Sequence, residues 1–124
     1  MQYLTKEIQR QYRSGQLHIA VQEAVLTLEI LARTYNRKNP KVFPHGLRVT
    51  SLYRPGDDNS YHSKWQAIDF SIRDWDDLFK DAVEKELRAL RMVDCRNQHA
   101  FEYDAPGGVH LHIEYDDGTL KKEK

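Results

Sequence analysis

From Leu17 onward the apolar residues fall at Ala20, Val21, Ala24, Val25, Leu28, Leu31, Ala32 and Tyr35. This spacing lines up one face of an α-helix over about five turns. A helix with one long apolar stripe must lie on something, so the rest of the chain has to supply a surface for it. Asn39-Pro40 ends the run, because the residue before a proline is driven out of the helical region, and Pro40 to Gly46 reads as a loop. The period then changes. Leu47 to Tyr53 alternates Leu47, Val49, Ser51 and Tyr53 against Arg48, Thr50 and Leu52, the pattern of a short strand. After the turn-rich segment Pro55 to Ser60, Gln66 to Ile72 places Ile68, Phe70 and Ile72 on one face and Ala67, Asp69 and Ser71 on the other. Asp69 is therefore expected to point away from the core.

Asp74 can cap a second helix running to about Met92, with Leu78, Ala82, Val83, Leu87 and Leu90 as its buried stripe. Asp76 and Asp77 in its first turn suit the helix dipole. Ala100 to Tyr103 and Val109 to Tyr115 read as a hairpin around Pro106-Gly107-Gly108. These elements predict an α+β fold, a small antiparallel sheet with a long N-terminal helix and a second helix. The 124 residues, 40% of them hydrophobic, suffice for one core, so residues 1–124 are expected to form a single domain.

Nineteen basic and nineteen acidic residues cancel, which argues against nucleic acid or anionic membrane as a partner. The most apolar stretch, Ile19 to Ala32, is broken by Gln22, Glu23 and Glu29, so no membrane span is expected. Met1 to Ser14 carries Lys6, Arg10 and Arg13 without an apolar h-region, which predicts no secretory signal and synthesis in the cytoplasm. A lone cysteine, Cys95, excludes a disulfide framework and a thiolate cluster. Any metal must be held by histidine and carboxylate, and there are six histidines.

In the last strand Val109, Leu111, Ile113 and Tyr115 alternate with His110, His112 and Glu114. Period-two geometry sends both imidazoles to one polar face. An isolated HxH is more often a pair of exposed positions on a half-buried sheet than a site. Here Asp69 shares a non-core face by the same pattern, and His62 lies on the turn-rich approach to its strand. A chain reversal between them, plus one histidine of the last strand, gives two imidazoles and one carboxylate. Three protein ligands with a fourth position open is the arrangement of a catalytic zinc, although the same donors suit other divalent metals.

Ser51-Leu52-Tyr53-Arg54, then Ser60-Tyr61-His62 through Ala67-Ile68-Asp69, then His110-Leu111-His112 resemble in order and spacing the zinc peptidases that cleave D-amino-acid bonds of peptidoglycan. That group comprises D-Ala-D-Ala carboxypeptidases and dipeptidases, phage L-Ala-D-Glu endopeptidases and the hedgehog domain sharing their metal site. Its pattern is S-x-Y-R, then S-x-H-x-x-G-x-A-x-D, then a late histidine. The resemblance covers about Val49 to Tyr115. It implies Zn2+ held by His62, Asp69 and His112, with Arg54 binding a substrate carboxylate and Ser60 on the substrate side. One position departs: Trp65 stands where the family has glycine, so a narrowed cleft or shifted loop is expected.

A peptidase also needs a group that accepts a proton and passes it to the leaving amine. Val109 occupies the place of the acid that many family members carry three residues before the last ligand. Glu102 falls roughly opposite His110 if the hairpin turns near Pro106, which makes it the first candidate base. Asp104, nearer the turn, resembles the acid preceding HxH in the hedgehog-like version and comes second. His110 can donate a hydrogen bond to a developing oxyanion, and Glu114 can orient a histidine.

Several residues have plainer readings beside these. An arginine after a strand is usually a surface residue, and only its place in the pattern raises Arg54 above that. Tyr53, Tyr61 and Trp65 can wall a groove or simply pack. His18, His45, His99 and Cys95 receive no role.

The expected function is hydrolysis of a peptide bond in peptidoglycan stem peptides. A phage lysis or virion enzyme and a cytoplasmic peptidase of recycled fragments both fit the lack of an export signal. The alternative is a catalytically weak or inactive zinc-binding module of the same fold. An unrelated domain with accidental histidines is the third reading.

Overall fold

In the computed structural model, residues 1–38, 46–56, 58–90, 96–103 and 108–120 are described. The chain runs β1 (Gln2–Tyr3), α1 (Lys6–Arg13), α2 (Ile19–Lys38), β2 (Arg48–Ser51), a 3-10 turn (Tyr61–Lys64), β3 (Ala67–Ser71), α3 (Asp77–Ala89), β4 (Arg96–Glu102) and β5 (His110–Asp116). The strands form one five-stranded sheet in the order β1-β2-β3-β5-β4. The α+β class is as expected, but the sheet is mixed rather than antiparallel, because β1 pairs parallel to β2. β1 and α1 come from the segment whose sequence was informative only about targeting. Thr5 caps α1 by accepting the Ile8 N–H at 3.1 Å, and α1 buries no residue fully.

α2 matches the stripe read from the sequence: Ala20, Val21, Ala24, Val25, Leu28 and Ala32 are buried. His18 starts this helix, since its Nδ1 accepts the Ala20 N–H at 3.1 Å and its carbonyl accepts those of Val21 and Gln22. Its ring stacks on Tyr115 with centroids 3.9 Å apart. α3 is shorter than expected and is capped by Asp76, which accepts the Phe79 N–H at 2.9 Å, rather than by Asp74. The buried stripe is Phe79, Val83 and Leu87, while Leu78 is 73% exposed. Val83 and Leu87 are buried as expected, and Phe79, one turn before Val83, shares their face in place of Leu78.

α2 and α3 cover one face of the sheet, where Val49, Ile68, Phe70, Leu111 and Ile113 meet Val25, Leu28, Phe79 and Val83 in one apolar cluster. Burial of this kind is the main favourable term in folding, about 25 cal/mol per Å² of apolar surface. The opposite face carries the alternate residues of the same strands, and the polar side chains gather there.

The β2–β3 pair contains a bulge. Val49 pairs with Phe70 but Ser51 pairs with Asp69, so β2 spends one extra residue between them. The sequence alternation holds through Thr50 and then inverts. Ser51 joins the polar face instead of following Val49, and Leu52 goes into the core at 1% exposure.

Candidate metal centre

Three elements deliver the candidate ligands. Asp69 sits at the centre of β3, and His112 lies directly opposite on β5. His62 comes from the 3-10 turn, where Ser60 Oγ accepts the His62 N–H at 3.2 Å at one end and Trp65 closes the other by donating its N–H to the Tyr61 carbonyl. One donor atom from each of His62, Asp69 and His112 lies within 4.8 Å of the others. The two imidazole centroids are 5.3 Å apart.

Each ring is oriented by its outer nitrogen. His62 Nδ1 is 2.5 Å from the Leu52 carbonyl oxygen, which can only accept, so Nδ1 carries the proton and Nε2 presents a lone pair. That Nε2 is buried and has no hydrogen-bond partner among the described residues. It lies 3.3 Å from Asp69 Oδ2, close enough to act electrostatically but without hydrogen-bond geometry. His112 Nε2 meets Glu114 Oε1 at 2.8 Å, and its Nδ1 meets Asp69 Oδ1 at 2.7 Å. Both rings are thus held from outside and face Asp69 from inside, the arrangement in which outer partners fix the tautomer of metal-binding histidines.

The electrostatics follow from this packing. Burial by itself disfavours the His112 imidazolium, but the hydrogen bonds to Asp69 and Glu114, with their charges, outweigh it and push the group up to about 9. Burial likewise favours a neutral Asp69, yet the hydrogen bond from His112 and the adjoining His62 ring hold its carboxyl well below the ordinary range. A buried carboxylate between two imidazoles, one of them with an orphaned lone pair, fits a divalent cation that displaces the His112 proton: nitrogen plus carboxylate oxygen, and no thiolate among the described residues. Comparison with known protein families, with curated proteins and with solved structures finds no match.

The centre opens into a groove of about 1030 Å³ across the polar face of the sheet. Arg54, Ser60, Glu102 and His110 all line it with the three candidate ligands. Arg54 Nη2 lies 3.8 Å from Asp69 Oδ2. Glu102 pairs with His110 across the strands, as the hairpin pattern suggested, and Glu102 Oε2 contacts His110 Nε2. His110 Nδ1 is 3.1 Å from the Gly108 carbonyl, so the ring donates there and turns Nε2 towards Glu102. Ser60 is at the rim, with its hydroxyl engaged in capping the 3-10 turn. Asp104, His45 and Cys95 lie outside the described residues.

Tyr53, Tyr61 and Trp65 do not line the groove. Tyr61 is 1% exposed and donates its hydroxyl to Asp116 Oδ1 at 2.6 Å. Trp65 stacks on Tyr53 with centroids 4.4 Å apart and planes 6° off parallel, against the core rather than in the cleft. Trp65 also has φ 59° and ψ 31°, the only positive φ at a non-glycine among the described residues. A left-handed backbone is a conformation that glycine adopts without cost, and here the indole lies outside the groove.

Sequence reasoning missed four contributors. Ser71 follows Asp69 by one strand period and was legible as its neighbour on the polar face. Arg48 and Arg73 also line the groove. The Leu52 carbonyl that fixes His62 had no sequence signal, because every residue has such a group.

Proposed function

We propose that this chain is a zinc-dependent peptidase acting on peptidoglycan stem peptides. The observation that carries the reading is His62 Nε2, a buried lone pair with no hydrogen-bond partner among the described residues, aimed at a carboxylate and a second imidazole. Three ligands leave a coordination position for water or substrate. When bound, the ion supplies a Lewis acid for the scissile carbonyl and a water of lowered pKa.

The chain's own residues supply the rest. Arg54, at one end of the groove, holds the terminal carboxylate of the peptide with its planar fork. Glu102 accepts the proton of the attacking water at Oε2, and its contact with His110 Nε2 provides the path by which that proton reaches the leaving amine. His110 is also placed to donate from Nε2 to the oxyanion once it holds the proton. Glu114 keeps His112 oriented.

Incubation of the purified protein with defined stem peptides, with and without chelator, and mass identification of the fragments tests the reading. Chelator-sensitive cleavage is expected, with Glu102→Gln losing turnover while retaining one zinc per chain. Absence of stoichiometric zinc, or cleavage indifferent to chelator, refutes it. Bound zinc without cleavage of any stem peptide refutes the peptidase and leaves the binding module.

A further inference from the structure

The chain has no net charge, yet its groove holds Arg48, Arg54 and Arg73. The acids in that groove are matched to histidines: Asp69 to His62 and His112, Glu102 to His110, Glu114 to His112. Arg54 approaches Asp69. Arg48 and Arg73 form no ion pair or side-chain hydrogen bond among the described residues, and neither does the Ser71 hydroxyl.

Strand register separates these groups into two ends. β2 runs antiparallel to β3, and Ser51 pairs with Asp69, so Arg54, three residues later, lies on the His62 side of the ligand cluster. Its N–H donates to the His62 carbonyl at 3.3 Å. Arg48 precedes Val49, the partner of Phe70, and so comes in beside Ser71. Ser71 is one strand period, about 7 Å, beyond Asp69 on the same face, and it pairs with His110. Arg73 follows and lies over Gly108, where an added Cβ would stand 3.0 Å from its Nη2. Gly108 has φ +93°, a conformation that also excludes ordinary side chains, so the guanidinium can seat close against the backbone there.

We propose that Arg73 and Arg48, with the Ser71 hydroxyl between them, form a second anion subsite, and that the substrate carries a carboxylate on the acyl side of the scissile bond. Resting on the peptidase reading for its direction, this makes the substrate a dianionic peptide. Arg54 holds the carboxylate at the leaving end, and the Arg73 end holds the other. Guanidinium forks with no acid partner among the described residues suit a carboxylate that arrives with the ligand.

The test is a binding measurement with matched probes. N-succinyl- and N-glutaryl-D-Ala-D-Ala are titrated calorimetrically against N-butyryl-D-Ala-D-Ala at low salt, on the Glu102→Gln chain so that the probes stay intact, with and without zinc. Acid-capped probes are expected to bind about fivefold or more tighter than the butyryl probe. Arg73→Gln and Arg48→Gln should each erode that preference and leave the butyryl affinity unchanged, while Arg54→Gln weakens all probes alike. Equal affinity for the caps overturns the subsite, as does a preference that survives both substitutions. The measurement reads a difference between caps, and the zinc-free arm keeps it readable if the peptidase reading fails on metal content or turnover.

Discussion

Trp65 offers the sharpest test of how the 3-10 turn carrying His62 is held. A left-handed backbone costs an ordinary L-residue about 1–2 kcal/mol. The Trp65–Tyr53 stack at 4.4 Å returns about 0.5–1.5 kcal/mol, so the two nearly offset. Trp65→Ala keeps the backbone cost and loses the stack. Trp65→Gly loses the stack and the backbone cost together, but gains about 0.5–1 kcal/mol of unfolded-state freedom against it. The difference leaves glycine more stable than alanine by about 0.5–1 kcal/mol, the reverse of their usual order inside secondary structure. Urea unfolding of the two variants measures this directly, with a separation of roughly 2–5 °C in Tm as a second readout. Both should bind zinc, since the His18 N–H bond to the Trp65 carbonyl at 2.7 Å and the Ser60 cap need no indole. An alanine variant as stable as the glycine variant, or more so, refutes the strain argument.

Saturation with zinc to a hundredfold above its Kd should stabilise the chain by about 2.7 kcal/mol, roughly 10 °C in Tm, and His62→Ala should abolish the shift in a thermal scan. Glu114→Gln removes the carboxylate that orients His112 and should weaken zinc about 10–100-fold in competition with a chromogenic chelator. Asp76 is held below its usual pKa first by the Tyr35 hydroxyl and then by the Phe79 N–H. A depressed folded-state carboxyl stabilises above its unfolded value of 3.8, and that contribution disappears as pH falls through the lower folded value. Wild type should therefore lose stability relative to Asp76→Asn below about pH 4 in denaturant titrations across pH 3–7, and Tyr35→Phe should reduce the difference.

Period-two reasoning read the polar face well because β3 and β5 are regular. Asp69 opposite His112 and Glu102 opposite His110 are consequences of alternation plus a hairpin. It failed where a local interaction overrides alternation. The bulge that turns Ser51 outward and Leu52 inward is invisible to a pattern of period two. The start of α3 was misplaced because Asp74, Asp76 and Asp77 are equally good caps, and Phe79 belongs by i, i+4 spacing to the Val83–Leu87 face. α1 escaped notice because it contributes only partly buried side chains such as Ile8 and Tyr12, too few for an apolar stripe.

Asp69 points away from the core, as expected, but differs from an ordinary residue of an open sheet face in being only 6% exposed. The difference bears on stability as well as chemistry. A carboxylate taken out of water is costly unless positive charge and hydrogen bonds accompany it. Two imidazoles and, at 3.8 Å, one guanidinium surround it. The bulge enables that enclosure by placing the Leu52 carbonyl where it locks His62, and the left-handed Trp65 lets the chain return from the 3-10 turn into β3. The ligand cluster is therefore tied into the hydrogen bonding of the sheet's central strands, so occupation of the site and resistance to unfolding should rise and fall together.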